Sequence, residues 1–363
     1  MARRVLRNFT PEAFGAVALS IFGNVGLSDS ICVTRRPINE IGLLSGIASD
    51  GIWPLMIFSR HGHRLLAGGL ILSVSCWFAV QDVAAQGATQ VLTPFGYRDT
   101  ANVHRVPEDY ELLRMPDTHI RMHNPKTGDY TDFPKPIVAN QQTVPFTDNQ
   151  QTVPFTDNGW VTFASWYNPY SNPITYFGTD WNVPPHPKTY TGQTLFIFNS
   201  IEPAGGDAIL QPVLQFGQSA AGGGEYWAIT SWYVVGNQAY FAALYYVPEG
   251  TFLGGQIRLI GSKPKRGEFS YSSDFYGYNG TTLTVRNIPK LVSATETLEV
   301  YNVSECTEFP NTVYSLMSSI GITLKGGITP SVGWSINDIA TDCGVQTTIV
   351  INGASNGAVA IFY

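Results

Sequence analysis

Hydrophobic and polar positions change their rhythm along this chain. From residue 159 onward, short runs rich in Val, Ile, Tyr, Phe, Trp and Thr are cut by Gly, Pro, Asn and Ser. Runs at 161–163, 174–177, 194–198, 208–216, 226–235 and 239–247 read as strands, as do 256–260, 282–285, 298–303, 319–324, 347–351 and 358–362. Turn stretches such as Ala204-Gly205-Gly206-Asp207 and Ala220-Ala221-Gly222-Gly223-Gly224 separate them. No run carries a convincing helical period. The pattern predicts an all-β domain over 159–363, an antiparallel β-sandwich of two packed sheets. In 226–233 the alternation places Tyr226, Ala228, Thr230 and Trp232 on one face, and Trp227, Ile229, Ser231 and Tyr233 on the other. Large residues on both faces predict core on one side and a cleft lining on the other.

Upstream the rhythm is lost. Residues 87–140 are polar and hold Glu108, Asp109, Glu111, Arg114, Asp117 and Arg121. A nonamer, Gln141-Gln142-Thr143-Val144-Pro145-Phe146-Thr147-Asp148-Asn149, then repeats as 150–158. A single repeated pair is too little for a solenoid. It reads as a duplication in a linker, with a boundary near Asn158, so 87–158 is expected to be a pro-segment or linker. Farther upstream, Arg60, His61, His63 and Arg64 precede an apolar run over 65–80, and Val83-Ala84-Ala85-Gln86 follows Asp82. A basic start, an apolar run and small residues describe a signal peptide cut near Ala85 or Gln86. The alternative is an uncleaved anchor. Met56 begins a more ordinary signal peptide than Met1 does, so 1–86 is taken as a leader with its functional start at Met56. The apolar stretch at 13–27 is broken by Gly15, Gly23, Asn24 and Gly26 and makes a poor membrane span. The expectation is a secreted protein without stable membrane association once the signal is cut.

Composition narrows the chemistry. Of 363 residues only 13% are charged, with 21 Lys plus Arg against 27 Asp plus Glu, net -6. Nucleic acid needs a basic surface and is not expected as a partner. Such a surface, poor in Lys and Arg, suits an acidic milieu, where its carboxylates neutralise. Cys32 and Cys76 fall in the leader, leaving Cys306 and Cys343 to form a disulfide after export, worth about 3 kcal/mol in the loop-entropy account. Asn279-Gly280-Thr281 and Asn302-Val303-Ser304 are glycosylation sequons. His104, His119, His123 and His186 are scattered and give no metal-site spacing, so neither metal nor cofactor is expected. A monomer is expected.

Nucleophilic catalysis finds little support. No Gly-x-Ser-x-Gly elbow and no phosphate-binding glycine loop occurs in a strand–helix context. His186 lies in Pro184-Pro185-His186-Pro187, a stiff surface stretch. If the sandwich is an enzyme, carboxylates and amides carry the work. Glu299 is an acid inside a strongly β-forming run, and Gln211 and Gln215, four apart, share a face of one strand.

Several segments, in order, resemble the glutamic peptidases, the eqolisin family of fungal acid endopeptidases. Phe177-Gly178-Thr179-Asp180-Trp181-Asn182-Val183-Pro184 is similar to the start of that domain. Ser200-Ile201-Glu202 falls where the family has Gly-Ile-Asp, and Ala208-Ile209-Leu210-Gln211 resembles its Ile-Leu-Gln segment. Tyr226-Trp227-Ala228-Ile229-Thr230-Ser231-Trp232-Tyr233 resembles the aromatic strand, with Ser231 where the family has Glu. Leu298-Glu299-Val300-Tyr301 resembles the segment bearing the catalytic Glu. The resemblance spans about 160–363 and implies a concanavalin-like jelly roll and a Glu/Gln dyad. In such a dyad Glu299 activates a water and an amide steadies the oxyanion at a pH where His would be protonated. The Ala-Ile-Leu-Gln match points to Gln211. The Gln-x-Gly match points to Gln215 and ranks first. Tyr226, Trp227, Trp232 and Tyr233 would line a cleft for a polypeptide substrate.

Two other readings stand beside it. A non-catalytic sandwich would bind glycans or a cell wall through exposed aromatics. A glycoside-cleaving sandwich would need Glu299 close to Glu202 or Glu225.

Overall fold

The computed structural model describes residues 89–138 and 159–363. The leader, Met56 and the tandem nonamer lie outside the described residues. The first strands are short: β1 Gln90–Thr93, β2 Gly96–Asp99, β3 Val103–Arg105, β4 Glu111–Arg114, β5 Ile120–His123 and β6 Tyr130–Phe133. Longer ones follow: β7 Gly159–Tyr167, β8 Ile174–Asn182, β9 Thr194–Pro203, β10 Ala208–Ser219 and β11 Gly222–Val235, then β12 Gln238–Phe241 and β13 Tyr245–Tyr246. The last are β14 Phe252–Lys263, β15 Glu268–Phe275, β16 Tyr278–Ile288, β17 Leu291–Tyr301, β18 Tyr314–Leu324, β19 Ser335–Asp338, β20 Gln346–Ile351 and β21 Gly357–Phe362. Among the described residues, helical structure is confined to short 3-10 turns.

Two large sheets pack face to face, giving the expected β-sandwich. The first runs β19-β7-β17-β9-β10-β11-β12-β3, with β13 also on β11. The second runs β20-β21-β18-β8-β14-β15-β16-β4-β5-β6. Pairing is antiparallel except where the N-terminal segment joins: β3 lies parallel to β12 and β4 parallel to β16. Residues 103–133 therefore edge both sheets, and Val106, Leu112 and Ile120 are buried in the main core. Three- and four-residue strands are too short to print an alternation, which is why the sequence there shows no rhythm.

Alternation along β10 and β11 sorts side chains between the two faces of the first sheet. Leu210, Leu214, Phe216, Trp227, Ile229 and Tyr233 enter the core between the sheets. Ile209, Val213, Trp232 and Val234 point outward and meet Phe196, Phe198 and Tyr301 in a second apolar cluster. That outer cluster is covered: Leu92, Phe95 and Val103 of the N-terminal segment pack on it. The run expected as one strand over 239–247 breaks at 242–244, so β12 and β13 lie separately on β11. Cys306 and Cys343 are joined by a disulfide, their Cα atoms 5.3 Å apart.

Candidate functional site

Cross-strand register on the first sheet sets the outer face in rows. Glu299 of β17 lies opposite Phe196 of β9, and Phe196 lies opposite Gln215 of β10. Glu299 and Gln215 therefore flank one phenylalanine, about 10 Å apart at Cα by strand spacing. Gln211 shares their face but belongs to the row of Ser200 and Thr295, about 13 Å farther along the strand.

Glu299 is fully buried. Its Oε1 accepts the Phe95 backbone N–H at 2.7 Å and the Tyr301 hydroxyl at 2.5 Å. Among the described residues its Oε2 has no hydrogen-bond partner. Burial pushes the carboxyl up to about 7, against the pull of the Tyr301 hydroxyl, the Phe95 N–H, the Arg98 guanidinium and the Trp160 indole.

Phe95 comes from the hairpin β1–β2, which lies across this face. Its two-residue turn is Pro94-Phe95, and Phe95 is held at φ 75, a region that favours glycine. Arg98 braces the hairpin, donating from Nη1 to the Phe95 carbonyl at 2.9 Å and from Nη2 to the Gly236 carbonyl at 3.3 Å. Ala220 N–H donates to the Leu92 carbonyl at 2.7 Å, and Tyr97 meets Tyr301 edge-on at 5.7 Å. A cavity of about 340 Å³ runs beside the hairpin, bordered by Tyr97, Arg98, Val234 and Asn237.

The two glutamines are differently placed. Gln215 Nε2 donates to the carbonyls of Gly217 and Gly222, each at 2.8 Å, and its Oε1 accepts the Ser219 hydroxyl at 2.8 Å. These bonds knit a bulge between Phe216 and Gly217, where Gly217 adopts φ 95. Gln211 is fully buried, and among the described residues neither its Nε2 nor its Oε1 has a hydrogen-bond partner. No hydrogen bond among the described residues joins Glu299 to either glutamine.

The four aromatics expected along a cleft divide by strand alternation. Trp227 and Tyr233 face the interior between the sheets and are fully buried, so they line no cleft. Tyr226 and Trp232 share the outward face of Glu299. Tyr226 packs on Tyr246 at 5.9 Å, and Trp232 packs on Phe241 at 4.9 Å.

The carboxylate pairs required for glycoside cleavage do not form. Glu202 lies opposite Ser293, six residues from the Glu299 row, or about 20 Å. Glu225 lies near the start of β11, three strands from β17, or at least about 14 Å. Both separations exceed the roughly 5–10 Å that such chemistry uses.

Sequence reasoning missed the partners of Glu299, among them Trp160, opposite it on β7. Tyr301 lies two residues on in the same strand, a spacing that puts both on one face and was readable. Phe95 and Arg98 come from a segment about two hundred residues away and gave no local signal. It also passed over Glu296, which faces the opposite way. That carboxyl is fully buried between the sheets, accepts the Thr179 hydroxyl at 2.5 Å, and is held well above the ordinary carboxyl range by burial. The sequon asparagines Asn279 and Asn302 are both exposed, while the Thr281 hydroxyl is taken up in the local turn, donating to the Tyr278 carbonyl at 2.7 Å.

No family model and no curated protein matches the chain. Among solved structures, it is similar to SCP-B, a member of the eqolisin family of peptidases, in complex with the tripeptide Ala-Ile-His. The identity is 12% and the TM-score 0.36, over 57% of this chain and 98% of that one.

Proposed function

We propose that this chain is a secreted, glutamic-type peptide hydrolase held latent by its own N-terminal hairpin, with Glu299 as the water-activating carboxylate. The observation that carries the reading is the Phe95 N–H on Glu299 Oε1: a polypeptide backbone already lies on a carboxylate buried in the outer face. The resemblance around Leu298-Glu299-Val300-Tyr301 and Gln215-Phe216-Gly217 supports it from the sequence side.

In the latent form Glu299 keeps its proton up to about pH 7 and cannot take another from water. Displacing residues 89–99 admits water, removes the main cause of the raised value and lowers it toward the ordinary 4.5. Ionised Glu299 then takes a proton from a water whose oxygen bonds to the scissile carbonyl carbon. The carbon–nitrogen bond breaks as Glu299 returns that proton to the leaving amine. Gln215 is the amide in the same cross-strand row as Glu299, on the far side of Phe196. It would donate to the oxyanion by giving up one of its two backbone carbonyls.

The test uses the purified chain, a form beginning at Thr100, and Glu299→Gln in that form, with a denatured protein as substrate across about pH 2–7. Cleavage in acid by the shortened form, reduced at least about 100-fold by Glu299→Gln, is the expected result. A folded but inert shortened form would overturn it. One observation favours a second reading, a non-catalytic binding platform: both Gln215 N–H groups are already bonded to backbone, so that amide has no N–H free for an oxyanion.

A further inference from the structure

The second sheet turns its own outer face away from Glu299, and there the side chains form a site of a different kind. Register places Gly321, Gly178, Gln256 and Asp274 in one row across β18, β8, β14 and β15. Ser318, Asp180 and Gly254 make the next row. Two adjoining glycines leave a floor without side chains, and Tyr176 folds down over it. A Cβ added to Gly178 would fall 2.1 Å from the Tyr176 hydroxyl, and one on Gly321 3.3 Å from its ring. The third glycine, Gly254, keeps space beside Asp180 and Tyr276, where a Cβ would come within 3.0 Å of the carboxylate. Between Tyr176, Asp180, Phe252, Gln256 and Tyr276 lies a cavity of about 320 Å³, inside the size range of small-ligand sites.

Its chemistry is uneven. Asp274 is satisfied: it accepts from Gln256 Nε2 at 2.6 Å and pairs with Arg258 at 3.0 Å. The Asp180 carboxylate has no hydrogen bond or ion pair among the described residues, although it stands in the wall of the cavity. Tyr276 and Phe252 are 77% and 65% exposed, two large aromatics held out to water at the rim of one polar hollow. An uncompensated carboxylate repels phosphates and other anions. Flat aromatic faces suit the C–H face of a pyranose ring, and planar amide and carboxylate groups suit its vicinal hydroxyls.

We propose that this hollow on the second sheet binds a neutral oligosaccharide, with Tyr276 stacking on a sugar ring and Asp180 and Gln256 holding its hydroxyls. The site is independent of Glu299 and would tether the molecule to a polysaccharide whether or not the first sheet performs chemistry.

The experiment is calorimetric titration of the full chain with chitotetraose, cellotetraose, laminaritetraose and mannotetraose. At least one saturates, and Tyr276→Ala and Asp180→Asn each weaken it about tenfold or more, while Glu299→Gln leaves it unchanged. Tyr276 is exposed and Asp180 lies at the cavity wall, so both variants are expected to melt with the parent, and a melt is run beside each titration. Failure of all four sugars at millimolar concentration overturns the proposal. So does binding that both variants leave intact, or a preference for an anionic oligosaccharide such as oligogalacturonate.

Discussion

Tyr301 governs how Glu299 carries charge. Its hydroxyl donates to Oε1 and so favours the ionised carboxylate against burial. Removing it in Tyr301→Phe should push Glu299 further above about 7 and destabilise the fold by about 1–3 kcal/mol once that carboxyl must ionise. Thermal melts at pH 5 and pH 9 check this: the loss should be clearly larger at pH 9. An equal loss at both would mean that the phenol acts through packing alone. The same residues show what a sequence can reveal at this scale. Glu299 stood out because an acid inside a β-forming run must face something. The Gln-x-Gly pattern at Gln215 was also visible, yet its physical reason is local: the amide closes on the carbonyl of Gly217 across a bulge. A pattern that resembles a catalytic motif is here satisfied by backbone geometry, and only the hydrogen bonds distinguish the two.

At the scale of elements, the long strands were legible and the short ones were not. The runs expected at 208–216 and 226–235 emerge as β10 and β11, lengthened at the glycine turn that joins them. Strand β15 was missed although its alternation was present. Phe269, Tyr271, Ser273 and Phe275 point inward, while Glu268, Ser270, Ser272 and Asp274 point outward, and the many serines masked the rhythm. The polar stretch 87–140 shows no rhythm because the strands in its described part are too short to alternate, yet its parts differ in what they hold together. The β1–β2 hairpin rests on the outer face and carries the strained Phe95, a conformation costing about 1–3 kcal/mol. Strands β3 to β5 are built into both sheets, with Leu112 only 1% exposed. Deleting residues 89–99 should therefore lower the melting temperature modestly. Leu112→Ala should cost about 2–4 kcal/mol, as truncation in a packed core does. Equal losses in a denaturant titration would show that the hairpin, too, belongs to the core, and that its displacement is no route to an open site.

For the whole molecule, scarcity of cations shapes the response to pH. Among the described residues, three carboxyls on or between the sheets are raised by burial: Glu202 and Glu299 to about 7, and Glu296 well above its ordinary value. Each is raised relative to the unfolded chain, so each contributes stability that is fully present below about pH 4.5 and lost as pH rises through its folded value. For Glu299 alone the span from 4.5 to about 7 corresponds to about 3 kcal/mol. Opposing groups are shifted less. Asp132, held down by Arg121, Glu308, held down by the N–H groups of Ser304 and Glu305 and the Thr191 hydroxyl, and His104, its imidazole lowered by burial, lose their contribution as pH falls. Stability should therefore peak in mild acid and decline through neutrality, the reverse of a protein whose buried carboxylates are paired with arginines. Urea midpoints should be higher at pH 4.5 than at pH 8. Glu296→Gln, which copies the protonated side chain in size and hydrogen bonding, should leave the acid midpoint nearly unchanged and raise the midpoint at pH 8. Glu296→Gln combined with Glu299→Gln should flatten the profile further. A parent chain equally stable at both pH values would show that water or an unseen partner keeps these carboxyls ionised, and the acid preference inferred from composition would lose its physical basis.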